Sequence, residues 1–196
     1  MIETTDYSRI ATRYIKQLAN EFKNNPSDFL SESDVKCKLF MILSQDNALS
    51  GLKPTNDGKQ ISPLHSEVSY FNRNGKLLFH VDLSAIDPGT TDVYSKSGKG
   101  EVRLAKGYRA GECYLAIEIK LNKSANKRKM IADWEKDMRK LADIKSRNPG
   151  LTCFSILLDK KSHISSNDEL AQLPGAYPNT KIVYANAVGN EYFINF

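Results

Sequence analysis

The chain has 196 residues, about 40% of them apolar, and a formal net charge of +5. That is enough sequence for one domain with a substantial core, spanning 1–196, and short for two. No stretch approaches the roughly 18 continuous apolar residues of a membrane span. The opening MIETTDYSRI has neither the basic nor the apolar region of a secretory leader. The mild positive balance permits a polyanionic partner without requiring one. Cys37, Cys113 and Cys153 are far apart with no CxxC pair. This argues against a zinc knuckle or a thioredoxin-like site, and it reads as reduced, buried thiols in a cytoplasmic protein.

In chain order, Ile10, Tyr14, Ile15, Leu18, Ala19 and Phe22 recur at three- and four-residue steps and predict an amphipathic helix over about 6–23. A second helix is expected from Ser31, where Asp34 three positions on completes a capping-box pattern, with Val35, Leu39, Ile42 and Leu43 as its apolar face. After a polar break at 51–58 the period becomes extended. LHSEVSYF and KLLFHVDLSAI, separated by Asn72-Arg73-Asn74-Gly75, predict a hairpin. A long basic loop follows over about 88–111, with a short strand at 101–104, and then the strand ECYLAIEIKL. A third helix is expected with the stripe Ile131, Trp134, Met138 and Leu141, stopped by Asn148-Pro149-Gly150. LTCFSILL reads as a central buried strand. A short helix near 168–173 and the strands KIVYANA and EYFINF finish the chain. The fold class is α/β, a mixed central sheet flanked by helices.

Chemistry enters through two strands. Successive side chains of a strand alternate between faces. In YLAIEIKL, therefore, Leu115, Ile117, Ile119 and Leu121 share one face, and Tyr114, Ala116, Glu118 and Lys120 share the other. Glu118 and Lys120 then stand about 7 Å apart along the strand. Charges in so apolar a strand are costly without partners or a ligand. In the hairpin's second strand, Leu77, Phe79, Val81, Leu83 and Ala85 are expected on one face. Leu78, His80, Asp82, Ser84 and Ile86 take the other. If the strands pair in order, Asp82, Glu118 and Lys120 converge. Two carboxylates from neighbouring strands suit Mg²⁺ or Mn²⁺, and an adjacent ammonium can orient or help deprotonate water and stabilise phosphate charge.

An Asp on one strand, Glu-x-Lys on the next, then an amphipathic helix and an apolar strand resembles the PD-(D/E)XK phosphodiesterase superfamily, whose restriction-endonuclease-like core has the order αβββαβ. The resemblance covers roughly the stretch from the Ser31 helix to Leu158, and SESDV at 31–35 looks like the acidic start of the helix preceding the sheet. It implies that Asp82 and Glu118 bind the metal with the backbone carbonyl of Ile119, that Lys120 is the active-site lysine, and that Glu32 is an auxiliary acid. Val81 stands where the motif has Pro, and 35 residues separate Asp82 from Glu118, so the basic loop is an insertion. Asp87 in IDPG is a competing carboxylate placed in the turn.

Each of these residues also has a plainer reading. Glu118 and Lys120 could be a solvated pair on an open face. Glu32 could serve only the helix dipole, with Asp34 an equally placed rival. Glu67 could add a carboxylate to the site or form a cross-strand polar pair. His65 and His80 are candidate acid–base groups, with His80 two residues before Asp82. Neither pairs convincingly in the sequence with a Ser or Cys nucleophile, which gives hydrolase-triad chemistry little support. Trp134 fits helix–sheet core better than a base-stacking platform.

Two basic clusters suit phosphate contacts because both adjoin the Glu118–Lys120 strand. Lys96, Lys99, Arg103, Lys106 and Arg109, with Tyr108 among them, lie in the loop; Lys123, Lys127, Arg128 and Lys129 lie at the start of the third helix. The expectation is a Mg²⁺- or Mn²⁺-dependent DNA endonuclease or exonuclease, acting as a homodimer or with a partner subunit that confers specificity. The alternative is a non-catalytic nucleic-acid-binding or assembly module that keeps the nuclease fold.

Overall fold

The computed structural model describes residues 4–71, 76–92, 102–103, 112–164, 170 and 177–196. Helix α1 runs Thr4–Asn24 and buries the whole stripe from Ile10 to Phe22 that its spacing predicts. A single 3₁₀ turn at Pro26–Asp28 leads to α2, Glu32–Leu43. Its start is a reciprocal capping box: Ser31 Oγ accepts from the Asp34 amide at 3.1 Å, and the Asp34 carboxylate accepts from the Ser31 amide at 2.7 Å. Val35, Leu39, Ile42 and Leu43 are buried. The polar break is more structured than expected, holding a one-turn helix α3, Asn47–Ser50, and a two-stranded ribbon of β1, Lys53–Pro54, and β2, Gln60–Ile61.

The main sheet is built from β3, Leu64–Phe71; β4, Leu77–Ile86; β5, Val102–Arg103; β6, Cys113–Asn122; β7, Thr152–Asp159; β8, Thr180–Asn186; and β9, Glu191–Ile194. Its order is β5-β3-β4-β6-β7-β8-β9. β3, β4 and β6 form an antiparallel meander. Helix α4, Lys127–Arg147, then crosses over so that β7 runs parallel to β6, with β8 parallel to β7 and β9 antiparallel at the edge. The result is a mixed α/β architecture.

Helices α1 and α2 cover one face, packing on Leu83, Ala85, Leu115, Ile117, Ile119, Phe154, Ile156 and Val183. Helix α4 covers the other, with Leu141 and Ile144 against Val68, Val81 and Ala116 and with Trp134 and Met138 against Leu157 and Tyr184. Its buried stripe begins at Met130 rather than the expected Ile131, which is only partly buried. β7 is buried along almost its entire length, as its continuous apolar run predicts. Of the three thiols, Cys113 and Cys153 are buried, but Cys37 is exposed on the outer side of α2, contrary to the expectation for all three. No described helix is long and apolar enough to cross a membrane. The hairpin turn at 72–75 and most of the loop at 88–111 lie outside the described residues, as does the helix expected at 168–173 apart from buried Leu170.

Strict alternation fails in more than one place. At the start of β6, where the pairing with β4 shifts between Ala85 and Ile86, Cys113 packs on the α4 side. Tyr114 and Leu115 both pack on the α1/α2 side, Tyr114 stacking on Tyr7. Contrary to expectation, Tyr114 therefore does not share the face of Ala116, Glu118 and Lys120. The other inversion lies in β4 and β3. Leu83 and Ala85 pack beneath α1 and α2, whereas Val81 packs on the α4 side. The five residues from Leu77 to Ala85 therefore do not share a face. β3 inverts at the matching position, with Leu64 on the α1/α2 side and Val68 and Tyr70 on the α4 side. Between them sits Glu67 with a left-handed φ of 54°, a conformation that interrupts the regular pleat. The flanking pairs, Ser66 with Leu83 and Val68 with Val81, put Glu67 opposite Asp82. The sheet turns over at the position where the sequence carries its acids.

Candidate active site

The same row continues into β6. Leu83 lies opposite Ile117, so the next step brings Asp82 beside Glu118, and Glu118 in turn faces Ser155 of β7. The β4–β6 register runs from Ile86 only as far as Leu83, and there the Asp82 carboxylate takes over: its Oδ2 accepts from the Ile119 amide at 2.9 Å. A residue's amide and carbonyl leave a strand on the same side, so the Ile119 carbonyl is directed into this break as well. Asp82, Glu118 and the Ile119 backbone thus meet where two strands part.

Three lysines balance the acids. Lys36 on α2 pairs with Glu67 and stands 3.9 Å from Asp82 Oδ1. Lys140 on α4 places Nζ 2.6 Å from Glu118 Oε1. Lys120 lies 3.1 Å from Asp137 on α4 and 3.6 Å from Glu32 at the start of α2. Glu118 is the buried member, 4% exposed, and its Oε1 receives no hydrogen bond of acceptable angle despite the contact with Lys140. Burial pushes its carboxyl up to about 8; the Lys140 charge opposes this and the neighbouring Asp82 adds to it. Burial also raises Asp82, against the hydrogen bond from the Ile119 amide. Lys120 is raised too, which in its case favours the charged form. Its burial works against the charged form, but Asp137 and Glu32 outweigh it and hold the ammonium protonated. Lys36 is likewise raised, chiefly by its hydrogen bond to Glu67.

Asp82, Glu118, Lys120 and Glu32 are therefore gathered at one place, with Glu32 touching Lys120 rather than the two central acids. Glu67 reaches the same row, though its carboxylate is spent on Lys36. Asp34 is occupied by the capping box, and Asp87 caps the short turn Pro88–Thr90 by accepting from the Gly89 amide at 2.9 Å. His80 bonds Ser69 through Nδ1 at 2.8 Å, and His65 is partly buried with Nε2 unbonded and its pKa lowered by burial. Trp134 is fully buried and donates Nε1–H to Ser155 Oγ at 2.8 Å, which makes it core.

Of the basic residues, Lys123 is tied to the Leu30 carbonyl at 2.9 Å, and Arg128 is exposed at the start of α4 beside half-buried Lys127. Arg103 lies on β5 opposite Ser69. Lys96, Lys99, Lys106, Tyr108 and Arg109 lie outside the described residues.

Sequence reasoning missed Lys36, Asp137 and Lys140. Lys36 is one turn after Glu32 on α2, and Asp137 and Lys140 sit three apart on α4, flanking the apolar Trp134–Met138–Leu141 stripe. Charges bordering a buried stripe at helical spacing were the available signal.

Do these groups suit a divalent cation? Among the described residues no set of three or more His, Cys, Asp and Glu side chains is grouped closely enough to hold one. Two carboxylates from adjacent strands, one with a buried oxygen short of a hydrogen bond, together with a carbonyl directed into the same break, are nevertheless hard oxygen donors of the kind Mg²⁺ takes when water and substrate complete its shell. By chemistry the donor set fits. A groove of about 470 Å³ between the end of α4 and the start of β8, lined by Lys145, Ser146, Tyr177 and Asn179, contains none of these residues. Its one charged group, Lys145, is bound to the carbonyls of Pro149 and Leu151. No protein-family model matches the chain, and neither a curated protein nor a solved structure matches it.

Proposed function

We propose that this protein is a divalent-metal-dependent nuclease that hydrolyses phosphodiester bonds of DNA, on a core resembling that of the PD-(D/E)XK superfamily. One observation carries the reading: the Asp82 carboxylate fills the break between β4 and β6 beside Glu118, with Lys120 two residues further along the same strand. The order α2, β3, β4, β6, α4, β7 around that break, with an antiparallel meander and one parallel crossover, supports the same reading.

Asp82, Glu118 and the Ile119 carbonyl would hold Mg²⁺ or Mn²⁺. Such an ion, when bound, supplies Lewis-acid chemistry, neutralising phosphate charge and making water a stronger nucleophile at neutral pH. Lys120 is kept charged by Asp137 and Glu32, so it acts as a fixed donor that orients water or stabilises a phosphate oxygen, not as a base. Glu32 and Asp137 position that ammonium. Arg128 and Lys127, at the start of α4, are suited to the nucleic-acid backbone, whose charge a helix N-terminus also favours.

The test is Mg²⁺- or Mn²⁺-dependent cleavage of a mixed panel of DNA substrates, with Lys120→Ala alongside. Cleavage that falls by about a hundredfold or more in the variant is expected; equal cleavage by both proteins sinks the assignment. A second reading, a binding or assembly module that keeps the fold, draws on the lysine already paired with Glu118. Salt-sensitive DNA binding with no metal-dependent cleavage selects it.

A further inference from the structure

Glu118 and Lys140 form the most buried of the ion pairs around the break. The Glu118 side chain is 5% exposed, the Lys140 side chain 22%, and they meet at 2.6 Å. Their mobilities differ. Glu118 is fixed on β6, with neighbours on both sides of the sheet. Lys140 reaches in from the flank of α4 on a flexible four-carbon stem. Its ammonium supplies one positive charge to the carboxylate oxygen that otherwise lacks a hydrogen bond. An ion such as Mg²⁺ coordinated by that carboxylate needs an oxygen at about 2.0–2.1 Å, closer in than the 2.6 Å at which the ammonium now stands, so the two cannot occupy that oxygen together.

We infer that Lys140 is a built-in counter-ion standing in the cation's place on Glu118, so that a divalent metal ion and the Lys140 ammonium compete for one carboxylate. The inference rests on the reading of Asp82 and Glu118 as a cation site. Two positive charges within a few ångströms in a poorly solvated break repel strongly, and salt screens a buried pair little. Metal entry therefore requires Lys140 to leave. It has somewhere to go. Asp137 lies three residues earlier on the same helix face and is within 3.1 Å of Lys120, and residues three apart on a helix can pair. Lys140 moving to Asp137 loosens the hold of Asp137 on Lys120. The acid row thus takes up its ion at the cost of rearranging one lysine, and the free protein avoids an uncompensated buried carboxylate. Lys36 plays a weaker version of this part at Asp82, from 3.9 Å.

The experiment is Mn²⁺ binding, followed by calorimetry and by the electron paramagnetic resonance of free Mn²⁺, at one fixed pH without nucleic acid. It compares wild type, Lys140→Met, Lys140→Arg, and each of these with Glu118→Gln. Thermal melts without metal verify that every variant is folded. The expected result is a dissociation constant about tenfold or more lower for Lys140→Met, a value near wild type for Lys140→Arg, and loss of binding with Glu118→Gln in every background. Binding by Lys140→Met but not by wild type supports the competition still more strongly. If Glu118→Gln abolishes binding but Lys140→Met and wild type bind equally, the competition is overturned and the cation site stands. Failure of both wild type and Lys140→Met to bind Mn²⁺, or binding indifferent to Glu118→Gln, overturns the cation site and the competition together.

Discussion

Two buried carboxylates on adjacent strands, Glu118 of β6 and Asp159 of β7, meet opposite electrostatic fates. Asp159 is fully buried at the carboxyl end of β7, in a row with Asn122 and Asn186 of the neighbouring strands. Its oxygens accept from Asn122 Nδ2 at 2.8 Å, from the Lys161 and His163 amides at 2.9 and 2.6 Å, and from the Tyr184 hydroxyl at 2.9 Å. Burial works against its charge, but these donors outweigh it and lower the pKa. Glu118 is almost as buried and has one lysine and no well-angled donor, and its carboxyl rises to about 8. Burial is common to both; the supply of hydrogen-bond donors separates them. A satisfied buried acid ties strands and turns together, while an unsatisfied one stores a free-energy cost that a cation could relieve. The contrast fits a structural role for Asp159 and agrees with the proposed role of Glu118 as a cation ligand.

Asp159→Ala has the largest expected effect, because it strands the Asn122 and Tyr184 donors and two backbone amides in the interior. A loss of about 3–5 kcal/mol is expected in urea unfolding, and a loss under 1 kcal/mol would remove the structural role. Asp159 has a lowered pKa, so its contribution is present above the unfolded-state value and fades as pH falls through the folded one.

Glu118 has the reverse sign. Its raised pKa favours the folded state fully below the unfolded value of about 4.5, and the benefit drains away as pH climbs towards 8. Glu118→Gln should consequently match wild type near pH 4 and be more stable by up to about 4 kcal/mol at pH 8, read from paired melts. A variant less stable than wild type at pH 8 would contradict the assignment of Glu118 as the unsatisfied acid.

Ser155→Ala sharpens the contrast from beside the site. It leaves the buried Trp134 Nε1–H without its acceptor, and about 1–2 kcal/mol is the expected cost. The smallest effect is that of Ser31→Ala, which opens the capping box for about 1 kcal/mol. Because Glu32 follows directly, its contact with Lys120 should loosen too, seen as faster amide exchange in the first turn of α2.

Much of this was legible in the sequence because it is local. The α1 stripe, the capping box at Ser31, and the shared face of Ala116, Glu118 and Lys120 on β6 follow from spacing alone, whereas Tyr114, expected on that same face, stacks on Tyr7 of α1 instead. The meander, the crossover and the gathering of Asp82, Glu118 and Lys120 follow from pairing the strands in order. The inversion at Glu67 and Asp82 was hidden, because a left-handed glutamate leaves no signature in side-chain alternation and disrupts the pattern used to detect it. Asp159 was equally silent, an acid at the end of an apolar run whose donors lie at 122, 161, 163 and 184.

Spacing within the chain was enough to place the long helices and the main strands, their buried stripes, and the acids and lysine that the strands carry, though not α3 or the β1–β2 ribbon. Tertiary structure alone decided how those charges are balanced. Lys36 meets the acids of β3 and β4, Lys140 meets Glu118, and Asp137 meets Lys120 only once α2 and α4 have docked on opposite faces of the sheet. The physical reason is range. Periodicity reports the environment a side chain prefers within its own element, whereas the partner of a buried charge is set by strand register and helix docking between segments distant in the chain.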